Sequence, residues 1–195
     1  MPAVEADLAL IQRTFESQQA TALRWRQSSA AERLARLKRL REAMMAQRAA
    51  FYSAFASDYR KTPAEVEASE FLPVMEEIRQ ALGSLKRWMK PRGHWPTTTM
   101  LGTRAAVQYQ PRGRVLIVAP WNYPLSLCFG PLVSALAAGN TVIIKPSEMT
   151  PAVSALMARI IAEVFPPEEV ALFQGSQPTS QALLELPFDH VFFTG

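Results

Sequence analysis

The stretch from Gly113 to Lys145, GRVLIVAPWNYPLSLCFGPLVSALAAGNTVIIK, decides the fold. It reads as strand, helix, strand. Arg114 opens a run, Val115-Leu116-Ile117-Val118-Ala119, with no polar residue in alternate positions. Such a run suits a strand buried on both faces. Residues 125–138 have the length and composition of a helix, and Gly139 and Asn140 are good residues for ending one. Residues 141–144 are a second apolar strand. Between the first strand and the helix stands Pro120-Trp121-Asn122-Tyr123-Pro124. Its prolines restrict the backbone on both sides of a single amide side chain, Asn122. A preorganised amide donor at a strand end is what an enzyme needs where an oxyanion develops.

The same grammar continues toward the C-terminus. Thr150 is placed to cap a helix with Pro151 in its first position, and Val153, Leu156, Met157, Ile160, Ile161 and Val164 make its apolar face. Pro166 and Pro167 stop it. Residues 170–173 predict a third strand, Gly175 a turn, 179–186 a short helix and 190–193 a fourth strand. The alternation predicts an α/β fold, a Rossmann-like parallel sheet with flanking helices. Toward the N-terminus the pattern is helical. Helices are expected over 8–25, over 30–59 with Ser28 or Ser29 as cap, and over 66–88 with a bend at Pro73. Residues 91–99 read as a punctuated link. Residues 100–110 read as extended, with strand character at Val107, Gln108 and Tyr109. The chain thus divides into a helical segment, 1–96, an extended segment, 97–110, and the sheet, 111–195.

Composition narrows the function classes. Of 195 residues, 49% are hydrophobic and 19% charged, the profile of a globular protein. The lone cysteine, Cys128, excludes an intramolecular disulfide and fits a reducing compartment, so a cytoplasmic setting is expected. The first ten residues carry Glu5 and Asp7 and do not read as a signal peptide. The best apolar stretch, 131–144, is too short to span a membrane and is broken by Gly139 and Asn140. Much of the net charge of +4 comes from Arg24, Arg26, Arg33, Arg36, Lys38, Arg39, Arg41 and Arg48. Leu34, Leu37, Leu40, Met44, Met45, Phe51 and Phe55 alternate with them at helical spacing, which reads as the solvated face of an amphipathic helix. A nucleic-acid partner would ask for aromatic interleaving, which is missing.

Ligands of open parallel sheets bind beyond the carboxyl ends of the strands. All four ends here carry unusual residues: 120–123, 145–148, 174–176 and 194–195. Lys145 can donate to ribose hydroxyls and Glu148 can accept from them, while Glu148 would repel a 2′-phosphate. The same two residues also read as a surface ion pair beside a helix start. Neither Gly-x-Gly-x-x-Gly nor Gly-x-x-x-x-Gly-Lys-Ser/Thr is present, so any dinucleotide phosphates must be held in another way. Cys128 lies among Leu125, Leu127 and Phe129, where a thiolate is not favoured. His94 reads as solvated, His190 as structural, and no metal site is expected.

Pro111-Arg112-Gly113, Pro120-Trp121-Asn122-Tyr123-Pro124, Ala138-Gly139-Asn140, Lys145-Pro146-Ser147-Glu148 and Phe188-Asp189-His190 with Phe193-Thr194-Gly195 together resemble the N-terminal part of the aldehyde dehydrogenase superfamily. Tyr123 and the Lys-Pro-Ser-Glu motif resemble its class 3 and fatty aldehyde branch. Residues 58–78 and 87–91 look most like coniferyl aldehyde dehydrogenases. The resemblance covers nearly the whole chain and is weakest over the first thirty residues. It implies NAD(P)-dependent oxidation of an aldehyde, aromatic or medium-to-long-chain, to its acid, with NAD preferred and NADP possible. It implies that Asn122 is the oxyanion amide and that Lys145, Ser147 and Glu148 hold the adenosine ribose. Val118, Ala119, Pro120 and Trp121 would line the cofactor cleft, Gly175 would lie near adenine, and Thr194-Gly195 would begin the turn at the pyrophosphate. Residues 97–110 would be a bridging segment of a homodimer in the full-length form. In the family a general-base glutamate and a nucleophilic cysteine follow, in a catalytic domain. These 195 residues hold neither, so an incomplete fold and an inactive chain are expected, the alternative being a non-catalytic nucleotide-binding remnant. The shortened sheet is expected to leave an apolar edge, and the strand in 100–110 to lack its distant partner.

Overall fold

The computed structural model describes residues 5–195. Helices α1 (Leu8–Trp25), α2 (Ala30–Ala46), α3 (Arg48–Tyr59), α4 (Pro63–Val66) and α5 (Leu72–Trp88) come first, with a π-helical turn, Glu67–Phe71, between α4 and α5. An antiparallel pair follows, β1 (Arg92–His94) and β2 (Ala105–Val107). Then β3 (Arg114–Val118), α6 (Pro124–Ala138), β4 (Thr141–Lys145), α7 (Pro151–Val164), β5 (Val170–Leu172), α8 (Gln177–Leu184) and β6 (His190–Phe193) alternate. The last four strands form a parallel sheet in the order β5-β4-β3-β6.

Both faces of that sheet are covered by helices, which is why its central strands lack alternation. Val115, Ile117, Val142 and Ile144 face a core that takes in Phe129 of α6, Met157 of α7 and Leu40, Phe55 and Ile78 of the N-terminal helices. Leu116, Val118 and Ile143 face the other way, onto Ile11 and Phe15 of α1 and Leu183 of α8. The amide of Gln18 ties α1 to the sheet, donating to the carbonyls of Val142 (3.1 Å) and Pro167 (3.0 Å). Among the described residues no helix is long and apolar enough to cross a membrane.

Several local expectations are corrected. The helix expected over 30–59 breaks at Gln47 (φ −98°, ψ 10°), so that α2 packs on α5 while α3 packs on α7. The bend expected at Pro73 lies just upstream of it. Pro73 has no N–H to give the carbonyl of Ser69, and the chain widens into the π turn, where the Leu72 N–H reaches the Glu67 carbonyl. The link 91–99 contains β1, whose Arg92 and His94 pair with Val107 and Ala105. The strand in the extended segment stops at Val107, short of Gln108 and Tyr109. The basic helix is not simply a solvated face either, because Arg33 and Arg36 are buried. Arg33 donates to the carbonyls of Ala137 (3.2 Å) and Ala138 (2.8 Å) at the open end of α6 and to the Ser28 hydroxyl (2.9 Å). Gly139 turns the chain there at φ +88°, where a Cβ would run into that guanidinium. Arg36 lies over the Trp25 ring at 3.5 Å.

Capping differs as well. Ser29 caps α2 in a reciprocal box with Glu32. Thr150 does not cap α7: its hydroxyl contacts the Ser147 carbonyl and the Ser154 hydroxyl, both at 3.4 Å. The first-turn N–H groups of Ala152 (3.2 Å) and Val153 (2.9 Å) donate instead to Asp58 of α3. Replacing Asp58 by Ala is expected to cost about 1 kcal/mol, the usual worth of a cap, with Asp58→Asn recovering part of it. A urea midpoint that does not move would refute that role. Strand β6 lies at the sheet edge with Val191, Phe192 and Phe193 each more than 40% exposed. An apolar edge of this kind invites association, so the chain is expected to self-associate in gel filtration and Phe193→Lys to raise its monomer fraction. A monomeric peak that the substitution leaves unchanged would contradict this.

Candidate functional site

In a parallel sheet all carboxyl ends meet one rim. Along it, in sheet order, lie Gly175 after β5, Lys145 to Glu148 after β4, Ala119 to Tyr123 after β3, and Thr194-Gly195 after β6. Backbone bonds knit these ends together. The Ala119 N–H donates to the Lys145 carbonyl (3.1 Å), Thr194 to Val118 (3.1 Å) and Phe173 to Ile144 (2.9 Å). Gly195 comes against the Pro120 ring. The residues singled out in the sequence are thus on one rim, with β3 and β4 in register at Val118 and Lys145.

Lys145 is 4% exposed, which sets it apart from a surface ion pair. Its stem is packed at the strand end and its ammonium donates to Glu148 Oε2 at 3.1 Å. Glu148 is exposed at the rim. Its own backbone N–H, and then the Lys145 ammonium, hold its carboxyl below the ordinary range, so it is an ionised acceptor at neutral pH. Ser147 braces the turn. Its hydroxyl accepts from the Met149 N–H (3.2 Å) and its carbonyl accepts from the Ser154 hydroxyl (3.1 Å). The segment is therefore a fixed turn, and α7 begins only at Pro151.

Gly175 leads into α8 at φ +155°, and a side chain there would collide with Thr179. A carboxylate not recognised in the sequence occupies this helix start. Glu5 accepts from the Ser176 N–H (3.2 Å), from the Ser176 hydroxyl and from the Thr179 hydroxyl (2.6 Å). No local pattern connects Glu5 with Ser176.

Asn122 opens on a different part of the rim. With Lys61, Glu65, Ala68, Ser69 and Tyr123 it lines a cavity of about 520 Å³. Lys145 and Glu148 are not among its walls. The Lys61 ammonium lies 3.4 Å from the Asn122 carbonyl oxygen and 4.9 Å from the Tyr123 ring centroid. The rim thus carries two stations, a cation–acid pair beyond β4 and an amide in a pocket beyond β3. The pocket's far wall was missed in the sequence. Thr62-Pro63-Ala64-Glu65 is a readable capping box and forms one, but nothing local pointed to Lys61.

Cys128 is fully buried, and that burial pushes its thiol up, far from a reactive thiolate. His94 and His190 are exposed on β1 and β6. Among the described residues no three His, Cys, Asp or Glu side chains cluster as metal ligands.

Residues 3–195 match the aldehyde dehydrogenase family, and the chain belongs to that family. It is 36% identical over 195 residues to a probable coniferyl aldehyde dehydrogenase of Caulobacter vibrioides, covering 98% of this chain and 40% of that protein. It is also 36% identical to a putative aldehyde dehydrogenase, AldX, of Bacillus subtilis, covering 95% of this chain and 41% of that one. Among solved structures, the substrate-bound state of Staphylococcus aureus AldH superposes with a TM-score of 0.92 at 36% identity, over 95% of this chain and 40% of that one. The chain therefore spans about two fifths of the length of the relatives it matches. The parallel sheet with its flanking helices is the corresponding part of that fold.

The buried thiol yields a direct check. Cys128 is expected to resist alkylation by iodoacetamide in the native chain and to react fully in guanidinium. Labelling of the native chain at the rate of a free thiol would show that α6 is not packed as described.

Proposed function

We propose that this chain is the cofactor-holding, N-terminal portion of an NAD(P)-dependent aldehyde dehydrogenase that oxidises an aldehyde to its carboxylic acid. The observation that carries the reading is the common rim: an exposed amide, Asn122, and a bonded cation–acid pair at the ends of adjacent parallel strands. Lys145 and Glu148 would hold the ribose hydroxyls with Ser147 bracing their turn. Val118, Ala119, Pro120 and Trp121 would wall the cleft, Gly175 would admit the adenine side, and Thr194 with Gly195 would begin the pyrophosphate turn. Asn122 would donate to the aldehyde oxygen as it gains negative charge. Bound NAD would supply the electron acceptor.

The residues present fit that cofactor. Helix N-termini commonly bind dinucleotide phosphates, but here carboxylates already meet the first turns of α6, α7 and α8: Glu70, Asp58 and Glu5. A dinucleotide's phosphates would therefore have to be held away from these helix starts. The acid at Glu148 favours NAD over NADP. The similarity to probable coniferyl aldehyde dehydrogenases favours an aromatic aldehyde, with medium-to-long-chain aldehydes next. Trp95, Leu101 and Tyr109, exposed around the β1–β2 pair, support a homodimer contact through residues 97–110 in the full-length form. With the lone cysteine buried, these 195 residues would not turn over an aldehyde by themselves. The second reading, a nucleotide-binding remnant, rests on the same rim.

Titrating the chain with NAD while following Trp121 fluorescence, with Trp121→Phe as control, is expected to give a saturable change. Glu148→Gln should weaken NAD roughly tenfold, the worth of a hydrogen bond to a charged group, and narrow the gap to NADP. Because the Glu148 carboxyl lies below its ordinary range, affinity should hold from neutral pH downward and fall only as the pH passes below that range and the acceptor is protonated. No saturable change would remove both readings. Steady NADH formation from an aldehyde by this chain alone would overturn its inactivity.

A further inference from the structure

The first turn of α6 carries the Asn122 loop, yet it has no cap of its own. Tyr123 at its N-cap makes no side-chain bond, and Pro124 has no N–H. The next N–H groups are orphans that need acceptors. Glu70 supplies one from the π turn: its Oε2 accepts from the Ser126 N–H at 3.1 Å. Glu70 is fully buried, and its other oxygen accepts from the Lys61 ammonium at 2.9 Å. That ammonium in turn touches the Asn122 carbonyl and the Tyr123 ring, and lies over Phe55 and Tyr59. Burying a charge is costly, and an apolar residue of similar volume often stabilises a core better. Single π turns inside helices are frequent at functional sites. This one sets Glu70 beneath the loop and places Ala68 and Ser69 across the pocket from Asn122.

We propose that Glu70 and Lys61 are positioning residues for the Asn122 carboxamide: the pair holds the Asn122 carbonyl, the Tyr123 ring and the Ser126 N–H just after it, so that the amide is kept at the pocket before any ligand arrives. What the amide does there, meeting a carbonyl oxygen that gains negative charge, rests on the aldehyde dehydrogenase reading. The clamp itself does not.

The test is nuclear magnetic resonance on the isotope-labelled chain. In the unaltered chain, Trp121, Asn122 and Tyr123 should show backbone order parameters of about 0.85, the rigid value. In Glu70→Gln, the Ser126 amide proton should move upfield as a charge-assisted bond becomes neutral. The order parameters of those three residues should fall to about 0.6 or below, while Leu116 and Ile143 in the sheet stay put. Lys61→Met should reproduce the loss of loop order, and Lys61→Arg should restore it. A Ser126 proton that moves while the loop stays rigid would reduce Glu70 to a helix cap and overturn the clamp. If Glu70→Gln does not fold, Lys61→Met, at a partly exposed side chain, gives the same readout. NAD titration of the same samples separates the two ideas. Loss of loop order in a chain that never binds NAD would support the clamp and sink the enzymatic reading. A rigid loop in both variants with NAD still bound would do the reverse.

Discussion

Carboxylates from the N-terminal segment meet the start of each helix that crosses from one strand of the sheet to the next. Glu70 meets α6, Asp58 meets α7 and Glu5 meets α8. Each helix start presents orphan N–H groups and the positive end of the helix dipole. Each is met by an acid held elsewhere in the fold. The N-terminal helices are thereby joined to the sheet twice over, through the shared apolar core and through polar bonds at the rim. Removing any one of these acids would leave donors unsatisfied at the edge of the site, and Glu70 and Asp58 each bond to two or more partners.

That arrangement also shapes the rim's chemistry. The places where a sheet of this kind ordinarily binds anions are filled by the protein's own acids. What faces solvent between them is a different set of groups: Glu148, backed by the buried Lys145, and Asn122. Lys145 can afford burial because its ammonium finds Glu148 at once, and Glu148 in turn is kept ionised. The two stations are separate. The ion pair lies beyond β4, and the amide opens on a pocket completed by residues 61–69. A ligand that uses both must reach across the end of β3, where Pro120 and Trp121 come to the surface above the buried Val118 and Ala119.

The sheet was legible in the sequence because two-sided burial leaves an unmistakable mark. Residues 115–118 and 142–144 contain no polar side chain, and no other common environment tolerates that in so short a run. Helix ends with local chemistry were legible too, as at Gly139 and at the serine cap of α2, which the structure assigns to Ser29. So was Asn122, fenced by Pro120 and Pro124, and the Lys145 to Glu148 turn. The inert setting of Cys128 followed from its neighbours in one helix.

Tertiary structure decided the rest. The acids that cap α6, α7 and α8 lie 56, 95 and 171 residues from the amides they meet. A capping box is readable because its partners are three residues apart; a cap supplied across the fold has no spacing to read. For the same reason Thr150 looked like the cap of α7 until Asp58 took its place. Arg33 and Arg36 carry the composition of a solvated face but turn inward, because the open carbonyls of α6 and the Trp25 ring reward them there. The π turn, and with it the far wall of the Asn122 pocket, follows from a missing N–H at Pro73 combined with packing against α6. By itself the sequence determined the alternation of strands and helices from residue 113 onward and the residues at the strand ends. Which of those residues share a pocket, and what holds them there, depended on contacts that form only when distant segments meet.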